Sequence, residues 1–382
     1  MFMNEPIRVL HVLGALHRGG AETFVMNVYR HIDRTKVQFD FIIHTNKNCS
    51  YRNEIEEMGG RIYIVQQFSF KNMILYVRTW GKLLKEHPEW LIIHGHVRST
   101  ACIYMYIAKK AGRTVIAHSH STSNGRGMNG LIKDVMQYPV RYIADYFFAC
   151  SEAAGKWMFG ENIVRHNPHY KVVKNAINIV NFKYNKEYSN EIRKELNLVD
   201  KKIIGTVGRL CEAKNPFFIL DTFEVVYEHS RNAVLLWCGD GELREQIKAA
   251  VKEKGLQGNV LLLGSVADVY RLYSAFDVFL FPSKWEGLGI SFIEAQVAGL
   301  PCFISENIPK DAIICGSVRQ LNLEQGCNEW GGEILKGFQF WSDRSKGYKD
   351  VINAGYDIRE LIIYLQELYL EIKNGVNLEK GR

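Results

Sequence analysis

The alternation of short apolar runs with longer amphipathic stretches is the feature that most constrains this chain. In the first half, runs rich in β-branched and aromatic residues alternate with segments of helical periodicity. The predicted strands of this half are 7–13, 39–44, 61–65, 90–94, 114–118, 145–149 and 170–173. Strands and helices that alternate at this spacing predict an α/β fold, in which a mostly parallel sheet is covered by helices on both faces.

The second half repeats this order, with predicted strands at 202–207, 233–238, 259–263, 277–281 and 301–304. A length of 382 residues also exceeds what one hydrophobic core usually serves. We therefore expect two Rossmann-like domains that face each other across a cleft. The first covers 1–180, and the second covers 198–355 after a polar linker at 181–197. Residues 356–382 are predicted to form a helix and tail that pack back across the cleft.

Composition narrows the class of protein. Eight cysteines are scattered without CxxC pairs, which is typical of reduced thiols in a cytoplasmic protein. The N-terminal segment carries Glu5 and Arg8 and is not predicted to be a signal peptide. Because no run approaches the roughly 18 apolar residues of a membrane span, we expect a soluble cytoplasmic protein. Peripheral attachment to the inner membrane face stays open.

Positive charge is concentrated in residues 90–133, which we call the basic window. The chain has a net charge of +7, and this segment contains no Asp or Glu. Such a face suits nucleic acid, anionic lipid or a phosphorylated substrate, or is a solvated face of a basic domain. Nucleic acid is not expected as a partner, because the window lacks a helix-turn-helix, RNP or KH pattern. The cations of the window are Arg98, Lys109, Lys110, Arg113, Arg126 and Lys133.

The most specific motif is PSKWEGLGISFIEAQVAGLP at 282–301, which follows a predicted strand and opens a helix. Glu286 and Glu294 span its loop and its helix. Gly287 and Gly289 allow backbone amides to approach a ligand closely, and the helix N-terminus favours phosphate or developing negative charge. The two carboxylates would accept hydrogen bonds from the hydroxyls of a ribose and a sugar. An ordinary strand-to-helix turn would explain one Glu-Gly pair, but not the whole motif.

A second motif, GTVGRLCEAKNP at 205–216, lies at the end of the first strand of the second domain. Arg209 and Lys214 follow that strand, where a phosphate site belongs in such a sheet. The Arg offers planar bidentate donors and the Lys a mobile point charge, so the pair suits a diphosphate. Either residue alone would more often be a surface cation, but their joint placement favours a binding function.

Two weaker motifs lie at strand ends in the first half. The turn LGALHRGGAETFV places Gly19 and Gly20 at a helix start, where free amides could meet a ligand, although tight geometry alone would also explain them. The segment VIAHSHSTSNG places His118 and His120 inside the basic window, where either could bind a substrate hydroxyl or stabilise charge. A metal site is less favoured, because no carboxylate or thiol lies nearby in the sequence.

With these motifs, the chain resembles the retaining glycosyltransferases of family 4, which have the GT-B fold, and within them the bacterial capsular and exopolysaccharide branch. The resemblance covers nearly the whole chain. The family's E-x7-E signature matches Glu286 to Glu294, and its GR-L-xxx-K pattern matches Gly208 to Lys214. These two matches are specific. The family's GG-AE loop at 19–22 and its first-domain histidine, best matched by His118, are supporting matches.

The resemblance implies a role for each matched residue. The catalytic set would be Glu286, His118, Arg209 and Lys214. Glu294 would hold the ribose hydroxyls, the backbone at Gly264 and Ser265 would meet the base, and the Gly19-Gly20 loop would close over the diphosphate. The residues implied to contact the donor are Gly19, Gly20, Arg209, Lys214, Gly264, Ser265, Glu286, Gly287, Leu288, Gly289, Ile290 and Glu294.

The implied reaction moves a hexose or N-acetylhexosamine, with retention, from a nucleotide diphosphate sugar to a hydroxyl of a glycan acceptor. UDP is favoured by family frequency, and no metal or other cofactor is expected. Acceptors in this branch are often linked to polyprenyl diphosphate at the inner membrane face, where a basic patch could dock. Alternatives are a nucleotide-sugar epimerase, a sugar-phosphate synthase, or a non-catalytic nucleotide-sugar-binding protein. The residues expected to dock are Lys109, Lys110, Arg113, Arg126 and Lys133.

Overall fold

The computed structural model describes residues 5–16, 19–45, 49–121, 128–286, 288–339 and 343–380, and for 128, 129 and 376–380 it describes the backbone alone. The chain divides into two compact units. The first unit comprises Met1–Ala176 with Ile358–Arg382, and the second comprises Ile177–Asp357. Among the described residues, no helix is long and apolar enough to span a bilayer.

The first unit contains a seven-stranded sheet in which all neighbouring strands are parallel, in the order β3-β2-β1-β4-β5-β6-β7. The order reverses between β1 and β4, which is where ligands bind in open α/β sheets, beyond the carboxyl ends of the strands. The strands are β1 Ile7–Leu13, β2 Val37–Ile43, β3 Arg61–Ile64, β4 Trp90–Gly95, β5 Thr114–Ser119, β6 Tyr146–Ala149 and β7 Tyr170–Val172.

The helices of the first unit cover both faces of this sheet, because its strands are apolar on both sides. Along β1, Val9 and Leu13 face one core while Leu10 and Val12 face the other. The helices are α1 Gly20–His31, α2 Arg52–Glu57, α3 Met73–Glu86, α4 Ala101–Lys110, α5 Met128–Gln137, α6 Val140–Ile143, α7 Glu152–Phe159, α8 Glu161–His166 and, after the second unit, α17 Ile358–Lys380.

The C-terminal helix α17 packs on the first unit. Its Leu365, Tyr369 and Ile372 are buried in the core that α1 and the odd-numbered positions of β1 also form. The helix predicted within 356–382 is present, and its apolar stripe is covered by this core.

The second unit contains a six-stranded parallel sheet in the order β10-β9-β8-β11-β12-β13, which reverses between β8 and β11. The predicted α/β class, with two doubly wound sheets, is therefore confirmed. The strands are β8 Lys202–Val207, β9 Ala233–Cys238, β10 Val260–Gly264, β11 Val278–Phe281, β12 Cys302–Ser305 and β13 Val318–Leu321. The helices are α9 Ile179–Phe182, α10 Lys186–Glu195, α11 Pro216–His229, α12 Arg244–Glu253, α13 Val269–Ala275, α14 Ile290–Val297, α15 Gly326–Gly337 and α16 Ser345–Asn353.

The segment expected to be a linker, 181–197, differs from that expectation. It lies within the second unit, and most of it forms α10. Ile192 of α10 is buried in the core, and Arg193 forms an ion pair with Asp277 at 2.8 Å. The sequence of this segment is polar because most residues of α10 are exposed to solvent. The chain passes between the two units at residues 176–177 and 357–358 instead.

Candidate active site

The two specific motifs of the second unit meet at the point where its strand order reverses. Strands β8 and β11 are paired neighbours, so the loops that follow them leave the same edge of the sheet. The backbone amide of Lys284 donates to the carbonyl of Ala213 at 2.8 Å, which ties the two loops together. The Lys284 ammonium also lies 3.2 Å from a carboxylate oxygen of Glu212.

Lys214 and Glu286, 72 residues apart in sequence, form a direct ion pair through Nζ and Oε2. Each side chain is only 17% exposed. The ammonium also lies 4.5 Å from the ring centroid of Phe281, the last residue of β11. The structure therefore joins a residue predicted to bind diphosphate to one predicted to hold the transferred sugar.

Arg209 differs from Lys214 in its surroundings. Its side chain is exposed, and its guanidinium makes no hydrogen bond or ion pair with the residues that the structure describes. It follows β8 directly, at the same sheet edge as Lys214. Its five donors are thus available to an anion without breaking an internal contact.

Two glycines hold the neighbouring loops against this site. Gly239, after β9, has φ +147°, and a Cβ there would lie 1.9 Å from the carbonyl oxygen of Gly208. Its amide donates to the carbonyl of Gly264 at 2.8 Å, and Gly264 has φ +71°. The sequence motifs pointed to Gly264 and to Ser265, which is exposed, but not to Gly239. The Gly-Asp-Gly sequence directly after a predicted strand was the signal that could have found it.

The N-terminus of α14 follows the loop of Glu286. Gly289, with φ +77°, precedes the first helical residue, Ile290. A Cβ on Gly289 would lie 3.1 Å from Phe281 Cε1 and 3.3 Å from Glu286 Cγ, so a side chain would crowd this turn. Leu288 is buried beside it. Gly287, which was expected to contact the donor, lies outside the described residues.

Glu294 lies one turn into α14 and is partly buried. The hydroxyl of Tyr273 lies 2.6 Å from Glu294 Oε2 and 3.0 Å from the carbonyl oxygen of Ser291. Burial raises the pKa of Glu294 to about 7, and the hydrogen bond from Tyr273 opposes this rise. Glu294 is therefore a carboxyl whose charge changes near neutral pH.

In the first unit, Gly19 caps α1, which begins at Gly20, as the sequence predicted. Because glycine has no side chain, Gly19 cannot accept a hydrogen bond from the first backbone amides of α1. The two residues that precede Gly19 are not among those described, so the course of this loop stays a prediction.

Five histidines share one face of the first sheet. His11 lies on β1, His94 on β4 and His118 on β5, while His96 and His120 directly follow β4 and β5. His118 has no exposed surface, and Phe24 of α1 packs edge-on against its ring. His120 keeps partial exposure. Burial lowers the pKa of all five, so each is neutral at pH 7.

The different exposure of His118 and His120 bears on the expected catalytic histidine. A group that contacts a sugar needs accessible surface, and His118 has none in this structure. His120, two residues further along and past the end of β5, does have it. The structure thus favours His120 over His118 as the histidine that could touch a ligand.

The cations of the basic window do not form one free array. Lys109 pairs with Asp145 at 2.6 Å, and Arg113 donates to the carbonyl of Leu84 at 3.1 Å. Lys110 lies over the ring of Tyr106 at 5.6 Å. Arg126 is outside the described residues. These contacts use part of the charge that the sequence suggested for membrane docking.

Lys133 instead lines a cavity of about 520 Å³ in the first unit. Apolar side chains of Phe68, Phe70, Ile132 and Met136 line it as well. Around it, α3 and α5 expose large apolar side chains that globular proteins usually bury. The exposed apolar residues on the turn before α3, on α3 and on α5 are Phe70, Met73, Ile74, Leu75, Val77, Leu131, Ile132 and Val135.

Two family models match this chain. The model described as Glycosyltransferase Family 4 matches residues 18–179, and the model described as Glycosyl transferases group 1 matches residues 188–321. Together the matched segments contain all the candidate site residues named above.

Two curated relatives extend these matches. The putative glycosyltransferase EpsF of Bacillus subtilis is 35% identical over 373 residues, which cover 95% of this chain and 96% of EpsF. The UDP-Gal:alpha-D-GlcNAc-diphosphoundecaprenol alpha-1,3-galactosyltransferase of Escherichia coli is 24% identical over 306 residues, which cover 76% of this chain and 78% of that enzyme.

Among solved structures, Anabaena HepE in complex with UDP superposes with a TM-score of 0.74 at 16% identity, over 95% of this chain and all of HepE. At this identity the likeness concerns the fold, and the two parallel sheets described above are those of the GT-B fold. The family matches, the relative aligned over nearly its whole length and the shared fold agree with the motif resemblance. The chain therefore belongs to glycosyltransferase family 4, with the GT-B fold.

Proposed function

We propose that this protein is a retaining glycosyltransferase that moves a hexose or N-acetylhexosamine from a UDP-sugar to a hydroxyl of a polyprenyl-diphosphate-linked glycan, in surface polysaccharide biosynthesis. The observation that carries the proposal is the contact between Lys214 and Glu286 beside Arg209, whose guanidinium has no partner among the described residues. It combines charges for a departing diphosphate with a carboxylate for the transferred sugar at one sheet edge.

The chemistry of transfer needs the leaving diphosphate to be stabilised as its bond to the sugar breaks. Arg209 and Lys214 supply two positive charges, and the first amides of α14 add the partial positive charge of a helix N-terminus. Lys214 would exchange part of its contact with Glu286 for a phosphate oxygen. We propose that these groups neutralise the diphosphate without a metal ion bound to it.

Glu286 and Glu294 would orient the donor. The proposal assigns Glu286 and the amides of Leu288, Gly289 and Ile290 to the transferred sugar, and Glu294 to the ribose hydroxyls. Holding both ends of the donor places the anomeric carbon against the acceptor hydroxyl, which reduces the entropic part of the barrier. The departing phosphate would take the acceptor proton on the same face, so retention needs no separate enzyme base.

The choice of UDP rests on two relatives. The E. coli enzyme is named for UDP-Gal, and HepE was solved with UDP. The loop of Gly239 and Gly264 beside the phosphate site would receive the base and ribose. The identity of the sugar depends on contacts to its hydroxyls or acetamido group.

The choice of a lipid-linked acceptor rests on the first unit. The E. coli relative is named for a diphosphoundecaprenol acceptor. The cavity beside Lys133 offers apolar walls for a prenyl chain and a cation for its phosphate. Exposed apolar side chains of α3 and α5 around it would enter the membrane interface, while Lys133 meets anionic headgroups. This attachment would hold the enzyme at the cytoplasmic face.

The test is transfer with a panel of UDP-, GDP- and ADP-sugars and a short-chain polyprenyl-diphosphate glycan. Wild type is expected to release UDP from one donor and to extend the acceptor. Glu286→Gln should lower turnover by at least about 100-fold, as the loss of a group that stabilises a transition state does. UDP binding, followed by calorimetry, should stay within about threefold in the same variant, since Glu294 and Arg209 remain.

Four results would contradict the proposal. An inverted anomeric product, read by NMR, would exclude retention. An epimerised nucleotide sugar with no transfer would indicate the epimerase alternative, and transfer to a sugar phosphate would indicate the synthase alternative. Tight UDP binding with no turnover of any donor would indicate a binding protein. An exposed glutamate on α12, Glu245, provides the matched control, because Glu245→Gln should change neither turnover nor binding.

A further inference from the structure

The five histidines of the first sheet form one connected cluster. His94 and His96 are two residues apart, as are His118 and His120, so with His11 all five side chains emerge on the same face. His11 pairs with His94 in the β1–β4 register, and the amide of His96 donates to the carbonyl of Val12 at 2.9 Å, which continues that register. The side chains are therefore held by the sheet and not by flexible loops.

The ring nitrogens form two short chains. In one, His11 Nδ1 lies 3.0 Å from His96 Nε2, and His96 Nδ1 lies 2.8 Å from His120 Nε2. In the other, the Tyr369 hydroxyl lies 2.8 Å from His94 Nδ1, and His94 Nε2 lies 3.2 Å from His118 Nδ1. The first chain lies wholly within the cluster, and the second begins at Tyr369 of α17.

The ends of these chains leave buried nitrogens without a partner. His118 Nε2 and His11 Nε2 are buried and have no hydrogen-bond partner among the described residues. Buried polar groups are nearly always partnered, and an orphaned one in a native protein calls for a water or an ion. For His96, His118 and His120, one ring nitrogen from each lies within 4.8 Å of the others.

We propose that His96, His118 and His120 form a binding site for a late first-row divalent metal ion such as Zn²⁺. Neutral imidazole nitrogens are the ligands that Zn²⁺, Ni²⁺ and Cu²⁺ take in proteins. Three protein ligands leave a fourth position open, which is typical of sites that also take water or an exogenous oxygen ligand. His120 lies at the partly exposed end of the cluster, so water or an exogenous ligand would reach the open position from that end.

The distance between two of the proposed ligand atoms is close to the one that a zinc ion requires. Two ligands at about 2.0–2.1 Å on a tetrahedral zinc ion lie about 3.4 Å apart. His96 Nδ1 and His120 Nε2 lie 2.8 Å apart in the hydrogen-bonded form. Binding therefore requires these two ring nitrogens to separate by about half an ångström.

A supporting chain fixes the third ligand. For His118 Nε2 to offer its lone pair, His118 Nδ1 must carry the proton and donate it to His94 Nε2. His94 would then donate from Nδ1 to the Tyr369 hydroxyl of α17. Metal-binding histidines characteristically donate their second nitrogen in this way, which sets the tautomer and the ring orientation. The site thus draws one supporting residue from a helix 275 residues away in sequence.

The experiment uses the full chain, prepared without an affinity tag and dialysed against chelator. Zn²⁺ content after equilibrium dialysis, measured by mass spectrometry, is expected to be one ion per chain. Co²⁺ substitution should give the visible bands of a tetrahedral, nitrogen-ligated ion. His120→Gln should abolish stoichiometric binding, and His94→Gln should weaken it by about 10- to 100-fold through the lost supporting bond.

The matched control is His166→Gln, which removes an exposed histidine of α8 and should leave the stoichiometry at one. Circular dichroism checks that each variant is folded. Because His118→Gln could disturb the core, the test relies on wild type and on the variant of the partly exposed histidine, His120→Gln. Less than 0.2 ion per wild-type chain, or one ion per chain retained in His120→Gln, would overturn the proposal and leave a metal-free hydrogen-bonded cluster. None of these readouts depends on turnover, so they stand apart from the proposed transferase activity.

Discussion

The hydroxyl of Tyr273 lies 2.6 Å from Glu294 Oε2, so a fully buried tyrosine of α13 supports the carboxyl that begins to titrate near neutral pH. Burial raises the pKa of Glu294 to about 7, and the hydrogen bond lowers it. In the proposed donor site, the charged carboxylate is the form that would accept hydrogen bonds from the ribose hydroxyls. UDP affinity should therefore weaken as the pH falls through about 7.

Tyr273→Phe is predicted to weaken UDP binding at pH 8 by about 2- to 10-fold, the equivalent of about 0.5–1.5 kcal/mol for one lost hydrogen bond. Loss of the bond also raises the pKa of Glu294 further, so the decline in affinity should begin at higher pH than in wild type. Calorimetric titration with UDP between pH 6 and 8.5 measures both effects.

Two controls separate this effect from titration of UDP itself. When Glu294 is replaced in Glu294→Gln, the pH dependence of UDP affinity should no longer differ between the chains with and without Tyr273→Phe. Tyr270→Phe, on the same helix, should behave as wild type. An unchanged pH profile in Tyr273→Phe would show that the hydrogen bond does not control Glu294.

Lys214→Met should lower both UDP affinity and stability, because it removes the cation proposed to bind the diphosphate and leaves Glu286 largely buried without its partner. We expect a loss of about 1–3 kcal/mol in the free energy of unfolding. Adding Glu286→Gln should recover most of the stability, since the unpaired charge is gone, but not the UDP affinity. Thermal unfolding and calorimetry distinguish the two losses.

The neighbouring surface pair supplies the control for this experiment. Lys284→Met breaks an ion pair with Glu212, whose side chain is 72% exposed, and should change stability by less than about 0.5 kcal/mol. If Lys214→Met with Glu286→Gln is no more stable than Lys214→Met alone, the ion pair is not what couples Lys214 to Glu286.

Gly239→Ala should destabilise the second unit by more than about 2 kcal/mol, because its φ of +147° and the nearby Gly208 carbonyl leave no room for a Cβ. UDP affinity should fall as well, since the displaced carbonyl belongs to the residue before Arg209. Gly258→Ala is the control, because a Cβ there meets nothing within 4 Å. Equal melting temperatures for the two variants would contradict this role of Gly239.

Binding to vesicles with anionic lipid should depend on the exposed apolar residues of α3 and α5. Ile74→Glu and Leu131→Glu are each predicted to weaken vesicle binding by about 1–2 kcal/mol, because an apolar side chain no longer enters the interface. Lys133→Glu should weaken it further. Flotation with vesicles measures the bound fraction.

Two other variants test where the docking surface lies. Val199→Glu, at an exposed position of the second unit, should have no effect. Lys109→Gln should have little effect, because Asp145 already neutralises Lys109. Vesicle binding that survives Ile74→Glu and Leu131→Glu together would place the contact elsewhere.

Much of the site could be predicted because its signals are local. Strand ends, glycines and the paired glutamates appear as short patterns, and the carboxyl ends of parallel strands meet at one edge. That reasoning placed Arg209, Lys214 and Glu286 at the same edge. It did not find the direct ion pair, because contact between two side chains depends on the register of β8 against β11.

The exposure of a residue was the least predictable property. His118 matched a family motif, yet the structure buries it beneath Phe24, and His120 holds the accessible position. Lys109 was grouped with free cations but pairs with Asp145, which lies beyond the acid-free segment. Gln296 was given no role within its motif, yet it accepts from the amides of Ile314 and Cys315 at 2.8 and 3.0 Å. Burial and partners come from segments distant in sequence.

The sequence by itself determined the α/β class, the two doubly wound units and the family, because periodicity and short motifs report the local conformation that a parallel sheet needs. Only the tertiary structure decided that 181–197 joins the second unit and that α17 supports His94 through Tyr369. It also gathered five histidines from three strands into one cluster. The reason is physical: hydrogen-bond partners and burial are set by strand register and helix packing, which connect residues that the linear sequence keeps apart.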